Sequence, residues 1–530
     1  MPTNSTQARL SDPAHRPMNV PRKAPGRSLL WFLPGAAVFL LGVLFTPAGA
    51  SRFISGDVTV YLLNAARMLE GQAIYKDFFQ YTTPGTELVY FVLFRLFGPR
   101  AWIPNAMLFA LGLSVTWLSI AISRKLVPGW LPFLSALLFL TCSFYKGLDG
   151  GHHWYSVLAV MAAVAIIIEQ RSPMRVAGVG ALCGLALFFT QIRGLAAVLG
   201  FAAFLVWEHR RKAHTWAALL KTEAYLLGAF LATVVSTNAY FVWRAGVKRF
   251  LFCTVVFGSR YYPAYSLGNS LKTYLFSPPS LRPWYGLPFV LVYALVHLLV
   301  PLVYLLTLVR YWREAQVHSE YPWDRVMLVS IAGLSLFLGV APAPSFFRLS
   351  VVSLPALILL VWLLSLPGRP ERVLAGLLWV FAVLLVALEP LRTQRHRNPY
   401  MDLPSGRVAL LEPDLLERYR WVADHTRPSD FFFEADWSDI YVALGLRNPT
   451  PVPFVTNTDY TRPEQVRDVI DALEKRDVRF VLWSWDLDTP QGDLAGDHLG
   501  PLRFYLRTRY HVVKTFADGD QVWQIWQRKS

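Results

Sequence analysis

The sequence of 530 residues has little charge and few cysteines. Charged residues make up 16%, whereas hydrophobic residues make up 54% and the mean hydropathy is +0.36. Ordinary soluble domains hold roughly 25% charged residues. Cys142, Cys183 and Cys253 all stand in apolar stretches without metal-ligand spacing, which argues against a disulfide framework and against a zinc site. A soluble core cannot bury this much apolar surface, so the composition predicts a multi-pass α-helical membrane protein.

Acidic residues are scarce in the first three quarters of the chain. Residues 1–390 hold 32 Lys and Arg but only 14 Asp and Glu, whereas residues 391–530 hold 19 and 21. The formal net charge is therefore +18 for residues 1–390 and −2 for residues 391–530, which gives +16 for the whole chain. Each of the few acidic residues there is informative about function.

Apolar segments long enough to cross a bilayer recur about eleven times within residues 28–390. They lie at 29–49, 101–123, 130–146, 153–169, 175–191, 194–208, 216–243, 286–309, 326–342, 346–366 and 372–389. Alternate connections are rich in Arg and Lys, and by the positive-inside rule they face the cytoplasm, as do residues 1–27, which we expect to be a disordered tail. An odd number of spans then places residues 391–530 outside. No internal repeat is evident, which weakens a transporter built from inverted repeats.

Residues 391–530 alternate between strand-like and helix-like patterns. Strand-like runs at 430–434 and 478–483 enclose a helical pattern from Pro463 to Lys475, with Val466, Ile470 and Leu473 on one face. We therefore expect a small C-terminal α/β domain on the external side.

The first long external loop, residues 50–100, begins with a carboxylate directly after a span. Ser55 is able to cap a helix whose apolar residues recur at helical spacing, which predicts an amphipathic helix in the membrane interface that ends at Gly71. Asp57 is costly at this place unless it is solvated, paired or functional. The alternative role is a favourable charge at a helix N-terminus.

This loop resembles the first external loop of GT-C glycosyltransferases, the membrane enzymes that include protein O-mannosyltransferases and the aminoarabinose transferase of lipid A. The residues that carry the resemblance are Gly56-Asp57, Tyr61, Ala65, Leu69, Gly71, Tyr75, Asp77, Phe78, Phe79, Pro84 and Phe97-Gly98. The resemblance implies the GT-C fold over residues 28–390. It also implies transfer of a hexose or pentose from a polyprenyl-phosphate donor to a glycan, lipid or protein acceptor. The implied location is the periplasmic face of a bacterial inner membrane.

The same resemblance implies roles for residues of the loop. Asp57 corresponds to the essential carboxylate, either as the base that deprotonates the acceptor or as the ligand of a divalent cation beside the donor phosphate. Asp77 corresponds to a supporting acidic group, and Tyr75 to a substrate contact. Many members carry two adjacent acidic residues where this sequence has Gly56-Asp57-Val58, which argues against a tightly bound metal.

A second polar cluster lies between two spans, at residues 145–155. Asp149 corresponds by position to the acidic residue that the second external loop of the family supplies to its active site. His152 and His153 are candidates for acid–base chemistry or for donation to a phosphate. The alternative interpretation is an interfacial turn in which Trp154 and Tyr155 are belt residues.

Two arginines stand almost alone among apolar residues on the external side. Arg193 is the only charged residue between Arg175 and Glu208, and Arg348 lies near the outer end of a later span. A guanidinium matches the oxygens of a phosphate, so both are candidates to hold the donor. The alternative is a snorkelling arginine without function.

Residues 244–285 form a second external loop that is basic and aromatic, with no Asp or Glu. Such a loop suits an anionic lipid headgroup, and its external position argues against nucleic acid. In the resembling family this loop lies over the active site. Two other functional hypotheses remain open, a transporter or flippase for a lipid-linked saccharide and a GT-C scaffold that has lost catalysis.

Overall fold

In a computed structural model of the chain, residues 26–46, 49–212, 215–265, 287–341, 344–395, 400–410, 413–489, 496–518 and 521–530 are described. Most of the predicted N-terminal tail and residues 266–286 of the second external loop lie outside the described residues. The fold is mostly helical, and its sheets lie in the C-terminal part.

Helices make up the membrane part. The first nine are α1 (Gly26–Leu44), α2 (Asp57–Leu69), α3 (Gly85–Phe97), α4 (Trp102–Ser123), α5 (Leu131–Leu138, extended to Gly147 by a π-helical and a 3-10 turn), α6 (His152–Ile167), α7 (Pro173–Phe189), α8 (Gln191–Lys212) and α9 (Trp216–Ala245). Short helical segments follow at Val247–Leu251, Phe252–Phe257, Gly258–Arg260 and Tyr262–Tyr265. The later helices are Leu287–Ala294, Leu295–Leu299, Val300–Glu314, Trp323–Leu338, Phe346–Val352, Leu354–Leu364 and Arg369–Arg395.

Each of the eleven predicted apolar segments overlaps one helix or two to three consecutive helical elements. Within the described ranges, five helices are long and apolar enough to cross a membrane. A sixth crossing results if the pair Phe346–Val352 and Leu354–Leu364, which is bent by 64°, counts as one span. Four shorter apolar helices accompany them. The chain is therefore a multi-pass helical membrane protein, as the composition predicts.

The C-terminal part holds two small sheets and five helices of its described residues. Its strands are β2 (Tyr400–Leu403), β3 (Gly406–Ala409), β4 (Phe432–Glu434), β5 (Phe480–Ser484), β6 (Tyr510–Asp518) and β7 (Gln521–Arg528), and its helices are Pro413–His425, Ile440–Leu444, Pro463–Lys475, Trp485–Leu487 and Gly500–Arg509. One sheet has the order β4-β5-β7-β6, with β4 and β5 parallel and the other pairs antiparallel. The α/β fold predicted for residues 391–530 is confirmed for the described residues.

The C-terminal part is joined to the first external loop by a shared sheet and a shared core. Strand β1 (Ser51–Arg52) of the loop pairs in parallel with β3, Ser51 lying opposite Val408. Tyr75 and Phe78 of the loop share a buried cluster with Trp483 of β5. The loop is therefore packed between the membrane helices and the C-terminal part, and its position depends on both.

Two details of the first loop differ from the prediction. The polar side of α2 does not face the membrane interface. Asn64 is fully buried and donates to Glu87 of α3, and Arg67 donates to the carbonyl of Thr450 in the C-terminal part. Ser55 does not cap α2. Its hydroxyl donates instead to the carboxylate of Asp439, and Gly56 occupies the cap position.

Candidate active site

A cavity of about 1380 Å³ lies between the external loops and the outer ends of the membrane helices. Its polar end contains most of the candidate residues named from the sequence, and these are Asp57, His152, His153, Arg193 and Arg348. The rest of its wall is mainly apolar and comes from α7, α8, α9 and the segments after α9, including Leu187, Leu195, Val234, Val242, Leu251 and Val255. One end of the cavity therefore suits a charged group and the other a hydrocarbon chain.

Asp57 is the first residue of α2, and the conformation of the preceding residue directs it into the cavity. Gly56 has a φ of 126°, a region that residues with a Cβ rarely adopt. The side chain of Asp57 is 48% accessible, and this surface faces the cavity. Burial within that enclosed space raises the pKa of Asp57, and the positive charge of Arg348 opposes the increase.

Asp149 lies directly behind Asp57. Its Oδ1 accepts hydrogen bonds from the backbone N–H groups of Val58 at 3.2 Å and of Gly151 at 3.0 Å. Burial, followed by the charge of Asp57, raises the pKa of Asp149 to about 8. The two carboxyls interact, so that ionisation of Asp57 raises the pKa of Asp149 further. Asp149 does not line the cavity and supports the N-terminus of α2.

The turn before α6 allows this close approach because Gly150 and Gly151 follow Asp149 and have no side chains. A Cβ added to Gly150 would lie 2.5 Å from the hydroxyl of Tyr90, which donates to the Gly150 carbonyl at 2.7 Å. The glycines of the predicted polar cluster are thus required by packing, and they bring Asp149 against the first loop.

The two histidines of the cluster lie at the start of α6, and their rings are 4.0 Å apart. Nδ1 of His152 hydrogen-bonds to Thr190 Oγ1 at 3.0 Å, which fixes the orientation of the ring. Nε2 of His153 lies 3.9 Å from Asp57 Oδ2. Among the described residues, His153 Nδ1 is buried without a hydrogen-bond partner. Of these ring nitrogens, His153 Nε2 is the one that faces Asp57 at the polar end of the cavity.

Asp57, His152 and His153 form a cluster that could hold a cation, since each offers a ligand atom within 4.8 Å of the others. Ligand atoms around one zinc ion lie at about 2.1 Å from it and so at most about 4.2 Å apart. The three side chains would therefore have to close by several tenths of an ångström. The donor set of two imidazoles and one carboxylate is chemically suitable for a divalent cation.

Arg193 points its guanidinium toward the same end of the cavity from the first turn of α8. Its Nη1 donates to the carbonyl of His153 and to Ser156 Oγ, both at 3.1 Å. Nε is buried without a partner, and no carboxylate pairs with Arg193 within the described part of the chain. A buried guanidinium held in this way is prepared to bind an anion.

Arg348 approaches from the opposite side, on the helix Phe346–Val352. Its Nη2 donates to the hydroxyl of Tyr262 at 2.7 Å, and the ring of Tyr262 stacks on Tyr81 at 4.9 Å. Sequence analysis did not single out Thr190, Ser156 or Tyr81. No local pattern marks them, and only the fold places Thr190 and Tyr81 at the cavity and Ser156 against Arg193.

The structure places Asp77 and Tyr75 outside the cavity. Asp77 is exposed and its carboxylate accepts the backbone N–H of Ala73 at 2.7 Å, closing a turn. Tyr75 is fully buried and has a φ of 67°. Its hydroxyl donates to the carbonyl of Thr82, and the backbone carbonyl of Tyr75 accepts a hydrogen bond from Arg249 Nε. Tyr75 therefore links the first external loop to the segment that follows α9, and it lies behind the residues that line the cavity.

No family model and no curated protein sequence matches the chain. Several solved structures, in contrast, match the chain. ArnT from Cupriavidus metallidurans bound to undecaprenyl phosphate matches with a TM-score of 0.56 at 13% identity, over 95% of this chain and 98% of that one. The archaeal oligosaccharyltransferase AglB from Archaeoglobus fulgidus, in complex with an inhibitory peptide and a dolichol-phosphate, matches with a TM-score of 0.51 at 12% identity, over 93% of this chain and 74% of that one. At such low identity the likeness shows the fold, and the chain is a membrane protein with the GT-C fold that the first external loop predicts.

Proposed function

We propose that the chain is a membrane glycosyltransferase that moves a sugar from a polyprenyl-phosphate donor to an acceptor. The observation that carries the proposal is that one cavity contains both an ionisable carboxylate with two arginines and a long apolar wall. ArnT binds undecaprenyl phosphate and AglB a dolichol-phosphate in the two solved structures, which supports a lipid-linked donor of the same kind here.

The reaction assigns one task to each part of the cavity. The oxygen of an acceptor hydroxyl attacks the anomeric carbon of the sugar, and the bond from that carbon to the phosphate oxygen breaks. Asp57 accepts the hydroxyl proton as general base. The departing polyprenyl phosphate keeps the bonding electron pair, and Arg193 and Arg348 stabilise its charge. The apolar wall holds the prenyl chain.

His152 and His153 lie between the base and the arginines. In the proposal they donate hydrogen bonds to the phosphate or hold a divalent cation together with Asp57. A cation bound there would supply positive charge beside the leaving phosphate. Asp149 supports Asp57 from behind. The proposal gives Asp77 and Tyr75 no contact with the substrate, because both lie outside the cavity.

Donor access and orientation follow from the surface of the same region. The large side chains of Ile192, Val235 and Trp243 line the cavity and are exposed, as expected where a lipid enters from the bilayer.

The basic connections at 209–212 and 310–325 lie at the helix ends away from the cavity. The positive-inside rule then supports a bacterial inner membrane protein with a cytoplasmic N-terminus and a periplasmic cavity.

The test is transfer of label from a panel of radiolabelled undecaprenyl-phosphate sugars, with the purified chain and a bacterial membrane extract as the source of acceptor. Label in a new glycoside and release of undecaprenyl phosphate support the proposal, and parallel reactions with EDTA or MnCl₂ report on a cation. Movement of the intact lipid-linked sugar across sealed liposomes without any glycoside would contradict it and favour a flippase. Binding of undecaprenyl phosphate without turnover of any sugar in the panel would favour a scaffold.

A further inference from the structure

The C-terminal part reaches the N-terminus of α2 through one carboxylate. Asp439 directly precedes the helix Ile440–Leu444, and both of its oxygens accept hydroxyl hydrogen bonds from the first external loop. Ser55 Oγ donates to Oδ2 at 2.6 Å, and Thr59 Oγ1 lies 2.8 Å from Oδ1. These are the short distances expected for hydroxyl groups bound to a carboxylate.

The two hydroxyls flank Asp57 in the sequence, one two residues before it and the other two residues after it. Thr59 Oγ1 also lies 2.9 Å from the carbonyl of Gly56, the residue with positive φ. On the other side of the same turn, Asp149 accepts the backbone N–H of Val58. The backbone that carries Asp57 is therefore held from two directions, by a membrane-domain carboxylate and by a C-terminal one.

We propose that Asp439 is a positioning residue for Asp57, so that the C-terminal part completes the active site instead of only covering it. The inference rests on the proposed function for the role of Asp57 in catalysis. The position of the backbone, however, can be measured without any turnover. A displacement of the base by about 1 Å is sufficient to slow a reaction strongly.

A second contact between the same two parts of the protein provides a matched control. Arg447 of the C-terminal part pairs with Glu70 at 2.8 Å, at the opposite end of α2. Removing this pair deletes a contact between the same two parts of the protein but leaves the N-terminus of α2 untouched. A role in docking alone would make the Arg447 and Asp439 variants behave alike.

The experiment is hydrogen–deuterium exchange of the peptide spanning residues 53–60, measured on the full-length chain in nanodiscs. Asp439→Ala should raise exchange of this peptide about tenfold, because two hydrogen bonds that involve a charged group are lost. Arg447→Ala should leave this peptide as in the parent. Asp439→Asn keeps an acceptor oxygen and should restore most of the protection. The double variant Ser55→Ala with Thr59→Val removes the same bonds from the side of the first external loop, and its exchange should match that of Asp439→Ala. If Asp439→Ala does not yield folded protein, the double variant takes its place in the test.

Activity gives a second, separable readout. With an undecaprenyl-phosphate sugar as donor, Asp439→Ala should lower kcat about tenfold with the donor KM unchanged, and adding Ser55→Ala and Thr59→Val should lower kcat no further. Unchanged exchange of residues 53–60 in Asp439→Ala, or an equal increase in Arg447→Ala, would overturn the inference. If the parent transfers no sugar at all, the proposed function fails, while the exchange result still decides the role of Asp439.

Discussion

The carboxylate of Asp149 accepts a hydrogen bond from the backbone N–H of Val58 at 3.2 Å, although 91 residues separate the two in the sequence. This bond ties the turn before α6 to the start of α2 and brings the carboxyls of Asp149 and Asp57 into one electrostatic unit. Burial raises the pKa of both groups. The two carboxyls therefore titrate as a coupled pair.

The raised pKa of Asp149 predicts a pH dependence of stability. Its folded pKa of about 8 lies above the ordinary 3.8, so between these values the folded state holds a proton that the unfolded state releases. The contribution of Asp149 to the free energy of unfolding therefore falls as the pH rises through this window. Asp149→Asn keeps an acceptor oxygen for both N–H groups and removes this decrease.

The measurement is the Tm in detergent from about pH 5 to about pH 8. The Tm of Asp149→Asn should fall less across this range than the Tm of the parent. Asp77→Asn, which removes the same charge at an exposed place in the first loop, should follow the parent. A parent-like slope in Asp149→Asn would show that its carboxyl is not held protonated.

Arg193 should determine affinity for the phosphate. Arg193→Met keeps much of the apolar stem but removes a charged donor, which should weaken binding of undecaprenyl phosphate about tenfold to a hundredfold. Native mass spectrometry of lipid binding measures the change. Arg175→Met, near the N-terminus of α7 and outside the cavity, is the control. Equal affinity of Arg193→Met and the parent would remove Arg193 from the phosphate site.

The apolar wall should accept the prenyl chain. Ala239 lines it on the exposed side of α9, so Ala239→Trp narrows the cavity without disturbing a packed core. We expect about a tenfold loss of affinity for undecaprenyl phosphate. Ala224→Trp, at an exposed place on the same helix outside the cavity, should bind the lipid like the parent. Identical binding by both variants would place the prenyl chain elsewhere.

A buried ion pair links the last membrane helix to the turn before α6. Lys146 Nζ lies 2.7 Å from Glu389 Oε1, and the two side chains are 13% and 8% exposed. Lys146→Met leaves the Glu389 carboxylate without its partner and should destabilise the protein by about 3 kcal/mol. Adding Glu389→Leu should recover part of this loss. Thermal unfolding of the two variants in detergent checks both statements, and a Lys146→Met variant as stable as the parent would contradict them.

Much of this fold can be predicted from the sequence because its signals are local. Apolar runs of bilayer length predict the helices, and the period-2 and helical patterns predict β4, β5 and the helix Pro463–Lys475. Asp57, Asp149 and Arg193 are recognisable in the sequence as rare polar residues next to predicted spans, but only the structure shows that Asp57 and Arg193 line one cavity and that Asp149 lies behind Asp57.

The remaining parts of the site depend on contacts that no local pattern encodes. Asp57 and Asp77 look alike in the sequence, but the positive φ of Gly56 directs Asp57 into the cavity, whereas the turn that contains Tyr75 leaves Asp77 exposed to solvent. Asp439 is almost 400 residues from Ser55, to which it binds. Burial of the polar side of α2 likewise results from partners, α3 and the C-terminal part, that its helical periodicity cannot reveal.

The most direct test of the account compares Asp57→Asn with Asp77→Asn, two isosteric changes in one loop. With an undecaprenyl-phosphate sugar that the parent uses, Asp57→Asn should lower kcat at least about a hundredfold, because the general base is lost. Its affinity for undecaprenyl phosphate should stay within about threefold of the parent, since the arginines remain. Asp77→Asn should retain both parameters. Transfer by Asp57→Asn as fast as by the parent would contradict the central claim that Asp57 is the catalytic carboxylate of this cavity.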